Sequence, residues 1–167
     1  VDQQIQKRLA EIDEQVLVNQ QRVLDLFRQH RVGLDGWRGS TEYGYDDIGR
    51  DKLEKIDADY FKAEDDLVRP QLASGTHAIA TGLFAVLHQG ETLHYLTGMP
   101  YDTIQQVIGI AGDNPNTMKE HGIQFSYTPL NEAGKVDYSA AAQTLDQDPT
   151  IRVVALQRSR GYATRDS

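Results

Sequence analysis

The sequence predicts an α/β fold in which a mostly parallel sheet is flanked by helices and preceded by a long amphipathic helix. Two observations carry this prediction. Apolar residues recur at helical spacing through the first 29 residues. From Leu67 onward, strand-like and helical segments alternate, which is typical of parallel βαβ units. The chain has 167 residues, of which 39% are hydrophobic, enough for a real core.

The first part of the chain, residues 1–66, is predicted to hold two helices joined by a loop. The helix from Asp2 to Gln29 carries an apolar stripe, which we expect to pack against the domain or against a second subunit. The loop from Val32 to Tyr45 is rich in glycine and aromatic residues. It is either a plain linker or a loop that reaches into a site or an interface. A second helix is expected over Asp46 to Phe61.

The second part, residues 67–167, is predicted to follow a βαβαβ order. Strands are expected over Glu91–Leu96, Ile123–Leu130 and Ile151–Leu156, with helices after Ser74 and over Tyr101–Ile110 and Tyr138–Leu145. The third strand is apolar enough to be buried on both faces. Ligands of open α/β sheets bind beyond the carboxyl ends of the strands, so we expect function in the segments that follow them.

A Ser-Gly-Thr turn at residues 74–76 leads directly into an apolar helix. Ser74 and Thr76 are residue types that cap a helix start, and Gly75 allows close approach of a ligand to the backbone. With the positive end of the helix dipole, this turn is suited to a phosphate group. The alternative is that Ser74 is an ordinary cap on a buried helix.

Two further segments follow predicted strands. Tyr101 lies after the first strand, where its ring could stand over a ligand held at residue 74; otherwise it packs at the sheet edge. Arg158 and Arg160 follow the third strand, where guanidinium groups could bind carboxylate or phosphate. Alternatively, they are surface residues that balance an acidic protein.

Composition and motifs narrow the possible functions. The net charge of −8 argues against a nucleic-acid-binding face, and the absence of cysteine excludes disulfides and thiolate chemistry. No apolar stretch approaches a membrane span or a signal peptide, so we expect a soluble, cytoplasmic protein. The five histidines show no metal-ligand spacing, so no metal site is predicted, and no GxGxxG or GxxxxGK[ST] motif occurs.

Four blocks in order resemble a known family, with the resemblance running from near the N-terminus to Ser167. They read YGYDDIGRDKLE from residue 43, RPQLASGTHAIA from residue 69, LTGMPYD from residue 96 and QRSRGY from residue 157. They are similar to the N-terminal portion of the aluminium-resistance branch of the cystathionine/methionine lyase class of pyridoxal-phosphate enzymes. The resemblance implies the aspartate-aminotransferase-like fold (fold type I), as a homodimer or homotetramer with shared active sites.

The resemblance also implies roles for individual residues. Ser74, Gly75 and Thr76 would hold the phosphate of pyridoxal 5'-phosphate, and Tyr101 would stack on its ring. The remaining implied cofactor residues are Tyr43 and Tyr45, from a neighbouring subunit, and Arg158 and Arg160, near the ring. Related lyases have Tyr-x-Arg where this chain has Tyr-Gly-Tyr, so Arg50 is a candidate for the missing arginine.

The lysine that such enzymes join covalently to the cofactor has no match in this chain. We therefore expect the chain to be part of a longer carbon–sulfur lyase acting on a sulfur amino acid of the cystathionine or methionine type, and to be inactive alone. The alternative function is a non-catalytic α/β interaction domain in which the Ser74 turn is only a helix cap.

Overall fold

The computed structural model describes residues 2–39 and 47–159. The chain divides into two compact units, Val1–Gln71 and Leu72–Ser167. This division lies a few residues after the predicted one at residues 66 and 67. None of the described helices is long and apolar enough to span a membrane.

The first unit is built on two helices, as predicted. Helix α1 spans Asp2–Gln29 and helix α2 spans Ile48–Phe61, with a short 3₁₀ turn at Leu34–Trp37 between them. Asp47 caps α2, because its carboxylate accepts the backbone N–H of Arg50 at 3.0 Å.

The apolar stripe of α1 is used only in part within this unit. Near the end of the helix, Leu26 and Phe27 are half-buried, and the adjoining His30 ring nitrogen lies 2.6 Å from the Asp59 carboxylate of α2. The first turns are open: the exposed stripe residues Ile5, Leu9, Ile12 and Val16 retain 40–49% of their accessible surface. The predicted packing face is therefore mostly uncovered in this unit.

The second unit confirms the predicted alternation of helices and strands. In chain order it contains α3 (Gly75–Val86), β1 (Thr92–Tyr95), α4 (Asp102–Ile108), β2 (Gln124–Tyr127), α5 (Tyr138–Gln147) and β3 (Ile151–Ala155). The strands form a sheet in the order β2-β1-β3, and β1 pairs in parallel with both neighbours. The carboxyl ends of all three strands consequently meet at one edge of the sheet.

The prediction that the third strand is buried on both faces is wrong for the described chain. Residues of β3 alternate between half-buried and exposed, and Val154 keeps 43% of its surface. All four residues of β1 are buried instead. The reason is position: β1 has a partner on each side, whereas β3 pairs only with β1 among the described strands.

The core of this unit lies between one face of β1 and the helices α3 and α4. It is a cluster of buried side chains, namely Leu87, Leu93, Tyr95, Ile104, Ile108, Met118 and Ile123. Helix α4 ends at Gly109, which has a φ of 90° and lies directly against Thr117. The core therefore holds α4 and the end of α3 against the sheet.

Candidate functional site

The carboxyl ends of β1 and β3 are joined by hydrogen bonds at the predicted edge of the sheet. The backbone N–H of Gln157 donates to the Thr97 hydroxyl at 3.1 Å. The side-chain oxygen of Gln157 accepts the backbone N–H of Tyr101 at 3.2 Å. The segments that follow these two strands are thus brought together through residues 97, 101 and 157.

The start of helix α3 has the geometry of a capped helix N-terminus. Ser74 is the N-cap, as predicted, and its hydroxyl accepts the backbone N–H of His77 at 3.1 Å. Thr76 does not cap the helix, so that part of the prediction is wrong. Its hydroxyl lies 3.0 Å from the hydroxyl of Thr103, because α3 and α4 pack side by side.

Two backbone donors remain available at this turn. Within the described residues, the N–H groups of Gly75 and Thr76 have no protein acceptor. A Cβ added at Gly75 would meet nothing within 4 Å, so the space in front of the turn is open. Two free N–H groups, two hydroxyls and the positive end of a 12-residue helix form a site that can accept an anion.

Tyr101 lies close to this turn along the packed helices. It is the N-cap residue of α4, two positions before the Thr103 that contacts Thr76. Its side chain is half-buried and packs against the core. The open turn at residues 74–76 and the Tyr101 ring therefore belong to the adjacent starts of two helices, and the anion-binding role of the turn and the stacking role of Tyr101 stay predictions.

The remaining predicted site residues divide into two groups. Arg158 is exposed just beyond β3, and its predicted role stays a prediction. Three of the predicted residues lie outside the described part of the chain: Tyr43, Tyr45 and Arg160.

Arg50 lines a cavity of about 480 Å³ in the first unit. Trp37 and Arg69 also line this cavity, which is largely apolar. Arg69 forms an ion pair with Glu54. Arg50 donates to Asp51 at 3.4 Å, so its guanidinium is oriented by a carboxylate on its own helix.

A buried polar network inside the sheet was not anticipated from the sequence. His94, in the centre of β1, is completely buried, and its two ring nitrogens lie 2.8 Å from the Ser126 hydroxyl and 2.9 Å from the Thr128 hydroxyl. Burial lowers the pKa of His94 below its ordinary value, although the Asp148 carboxylate opposes this shift. In the sequence, this network is indicated by His94, a polar residue within a strand-like run. Across residues 2–39 and 47–159, no three His, Asp or Glu side chains are placed to hold a metal ion.

Comparison with known proteins identifies the family. The model of the methionine gamma-lyase family matches residues 1–167. The chain belongs to this family. It is 46% identical over 164 residues to the uncharacterized protein YnbB of Bacillus subtilis strain 168, covering 98% of this chain and 38% of YnbB. The family-level resemblance found from the sequence is thereby confirmed.

Solved structures of similar proteins agree with the fold. A protein of Listeria innocua, proposed to be a cystathionine beta-lyase involved in aluminum resistance, superposes with a TM-score of 0.91 at 44% identity. That match covers 99% of this chain and 40% of the Listeria chain. A carbon–sulfur lyase involved in aluminum resistance from Clostridium novyi gives 0.87 at 38% identity, covering 93% and 37%. This member of the methionine gamma-lyase family spans about two fifths of these relatives' lengths.

Proposed function

We propose that the complete protein is a pyridoxal-phosphate-dependent carbon–sulfur lyase acting on a sulfur amino acid of the cystathionine or methionine type. The observation that carries the proposal is the open turn at residues 74–76, with two free N–H groups beside the start of the helix that begins after Tyr101. The names of the solved relatives support the reaction class. We also propose that the chain forms part of an aspartate-aminotransferase-like fold.

The residues of the turn fit the phosphate of this cofactor. The N–H groups of Gly75 and Thr76 would donate to phosphate oxygens, and the Thr76 hydroxyl would donate while accepting from Thr103. The Tyr101 ring, at the start of the adjacent helix, would stack on the pyridine ring. When bound, pyridoxal phosphate supplies an electron sink for carbanion chemistry at the amino acid.

The hydroxyl of Thr76 gives a direct test. Thr76→Val keeps the side-chain shape but removes the hydroxyl, and a hydrogen bond to a charged group contributes about 1.5–3 kcal/mol. We expect the Kd for pyridoxal phosphate, measured by visible absorbance of the complete gene product, to rise at least tenfold. Thr81→Val is the matched control, since Thr81 is exposed on the same helix α3. It should leave the Kd unchanged.

Turnover is measured separately, as pyruvate or 2-oxobutyrate released from cystathionine or methionine. A gene product that neither binds pyridoxal phosphate nor releases an oxo acid would refute the proposal. That result would favour the non-catalytic interaction domain, for which the exposed stripe on α1 would be the contact surface.

We further propose that the protein is a homodimer or homotetramer.

A further inference from the structure

Gln157 is attached to its surroundings through both its backbone and its side chain. Its backbone N–H donates to the hydroxyl of Thr97, which is itself nearly buried. Its side-chain oxygen accepts from the backbone of Tyr101, and its side-chain nitrogen donates to the Ser159 carbonyl at 2.7 Å. The amide group of Gln157 is thus held in one orientation, with its acceptor directed at Tyr101.

The sheet register explains why Gln157 can reach this position. Tyr95 of β1 is the partner of Ala155 in β3, and the N–H of Leu96 donates to the Ala155 carbonyl at 2.9 Å. Thr97 and Gln157 each lie two residues beyond the Tyr95–Ala155 pair. They therefore lie side by side, and the Gln157 side chain spans the gap from β3 to the loop that follows β1.

Two further hydrogen bonds hold the loop formed by residues 97–101. The N–H of Gly98 donates to the Thr128 carbonyl at 3.2 Å, which ties the loop to the end of β2. The side-chain amide of Gln105 donates to the Pro100 carbonyl at 2.6 Å. Gln157 supplies the contact to the backbone of Tyr101, the last residue before α4. A loop fixed in this way does not have to be ordered when a ligand binds.

We propose that Gln157 is a positioning residue that fixes the backbone of Tyr101, and so orients the Tyr101 ring for a planar ligand held at the Ser74 turn. This inference rests on the proposed function, with pyridoxal phosphate as the ligand. It assigns Gln157 no contact with the ligand itself. Its effect on binding must therefore depend entirely on the presence of the Tyr101 ring.

The dependence on Tyr101 is tested with a double-mutant cycle in the complete gene product. Gln157→Met keeps the length of the side chain and removes the acceptor for the Tyr101 N–H. We expect it to raise the Kd for pyridoxal phosphate roughly three- to tenfold. In a Tyr101→Leu background, where no ring remains to be oriented, the same change should leave the Kd unaltered. Gln143→Met, on the exposed surface of α5, is the matched control.

The outcomes separate this inference from the function on which it rests. If the wild-type protein binds no pyridoxal phosphate, both the function and the role of Gln157 are overturned. If the wild type binds it, and Gln157→Met weakens binding equally with and without the Tyr101 ring, Gln157 contacts the ligand and the positioning role is wrong. A variant with a lower Tm and an unchanged Kd would reduce Gln157 to a structural contact, which also overturns the inference.

Discussion

Replacing His94 with leucine should destabilise the protein by about 2–4 kcal/mol. Leucine is of similar size, but it removes hydrogen bonds to the hydroxyls of Ser126 and Thr128. Each such bond contributes about 0.5–1.5 kcal/mol, and leaving the buried Thr128 hydroxyl without a partner adds about 1 kcal/mol or more. The free energy gained by burying the apolar leucine side chain is small in comparison, because the side chains around it remain polar.

The same residue gives stability a defined pH dependence. Burial lowers the pKa of His94 in the folded protein. As the pH falls through the ordinary histidine pKa of about 6.5, the unfolded chain takes up a proton that the folded protein does not. The contribution of His94 is therefore fully present above pH 6.5 and decreases below it. It becomes constant only below the lowered pKa of the folded state.

Urea unfolding at a fixed protein concentration measures both effects. The difference in unfolding free energy between wild type and His94→Leu should be largest near pH 8 and smaller near pH 5. His88→Leu is the matched control, since the His88 side chain is 79% exposed, and it should change stability by less than about 0.5 kcal/mol. A loss below about 1 kcal/mol for His94→Leu, or a difference that does not vary with pH, would refute the role given to the network.

Further substitutions test the packing at the end of α4 and the proposed phosphate site at Ser74. Gly109→Ala should cost about 3–5 kcal/mol in urea unfolding, because its Cβ would lie 2.5 Å from the Thr117 hydroxyl oxygen at a φ of 90°. Gly134→Ala, with a φ of 72° and open space around it, should cost only about 1–2 kcal/mol; equal losses would contradict the packing argument. Ser74→Asp should retain the helix cap and the Tm, yet weaken binding of pyridoxal phosphate through charge repulsion. Unchanged binding would place the phosphate elsewhere.

Local sequence patterns were sufficient for the order of elements and for the cap at Ser74. Helix α1 matches its predicted span, because apolar residues recur close to helical spacing from Ile5 to Phe27. The three strands were found at shorter lengths than predicted, because each prediction included flanking residues that lie outside the regular strand. Ser74 was identified because capping depends on residue type and on a neighbour three positions away.

Local sequence patterns do not reveal which strand lies at the centre of the sheet. The central strand β1 contains Thr92 and His94, whose polarity suggests exposure, yet both are buried. The hydroxyl of Thr92 lies 2.7 Å from the hydroxyl of Thr150. The ring of His94 hydrogen-bonds to the hydroxyls of Ser126, in β2, and Thr128, which follows β2. Burial of polar groups depends on partners from distant parts of the chain, so an apolar strand such as β3 was wrongly predicted to be buried on both faces while the burial of β1 was missed.

In the candidate site, too, some features follow from local sequence patterns and others depend on contacts between residues that are far apart in the chain. The apolar core holds α4 and the end of α3 against the sheet, and the positions at which both helices start follow from local sequence patterns. The orientation of the groups at those starts depends on single polar contacts over long separations. Thr76 meets Thr103 across 27 positions, and Gln157 meets Tyr101 across 56. Because the core already holds the helices, loss of one such contact should alter ligand binding more than folding.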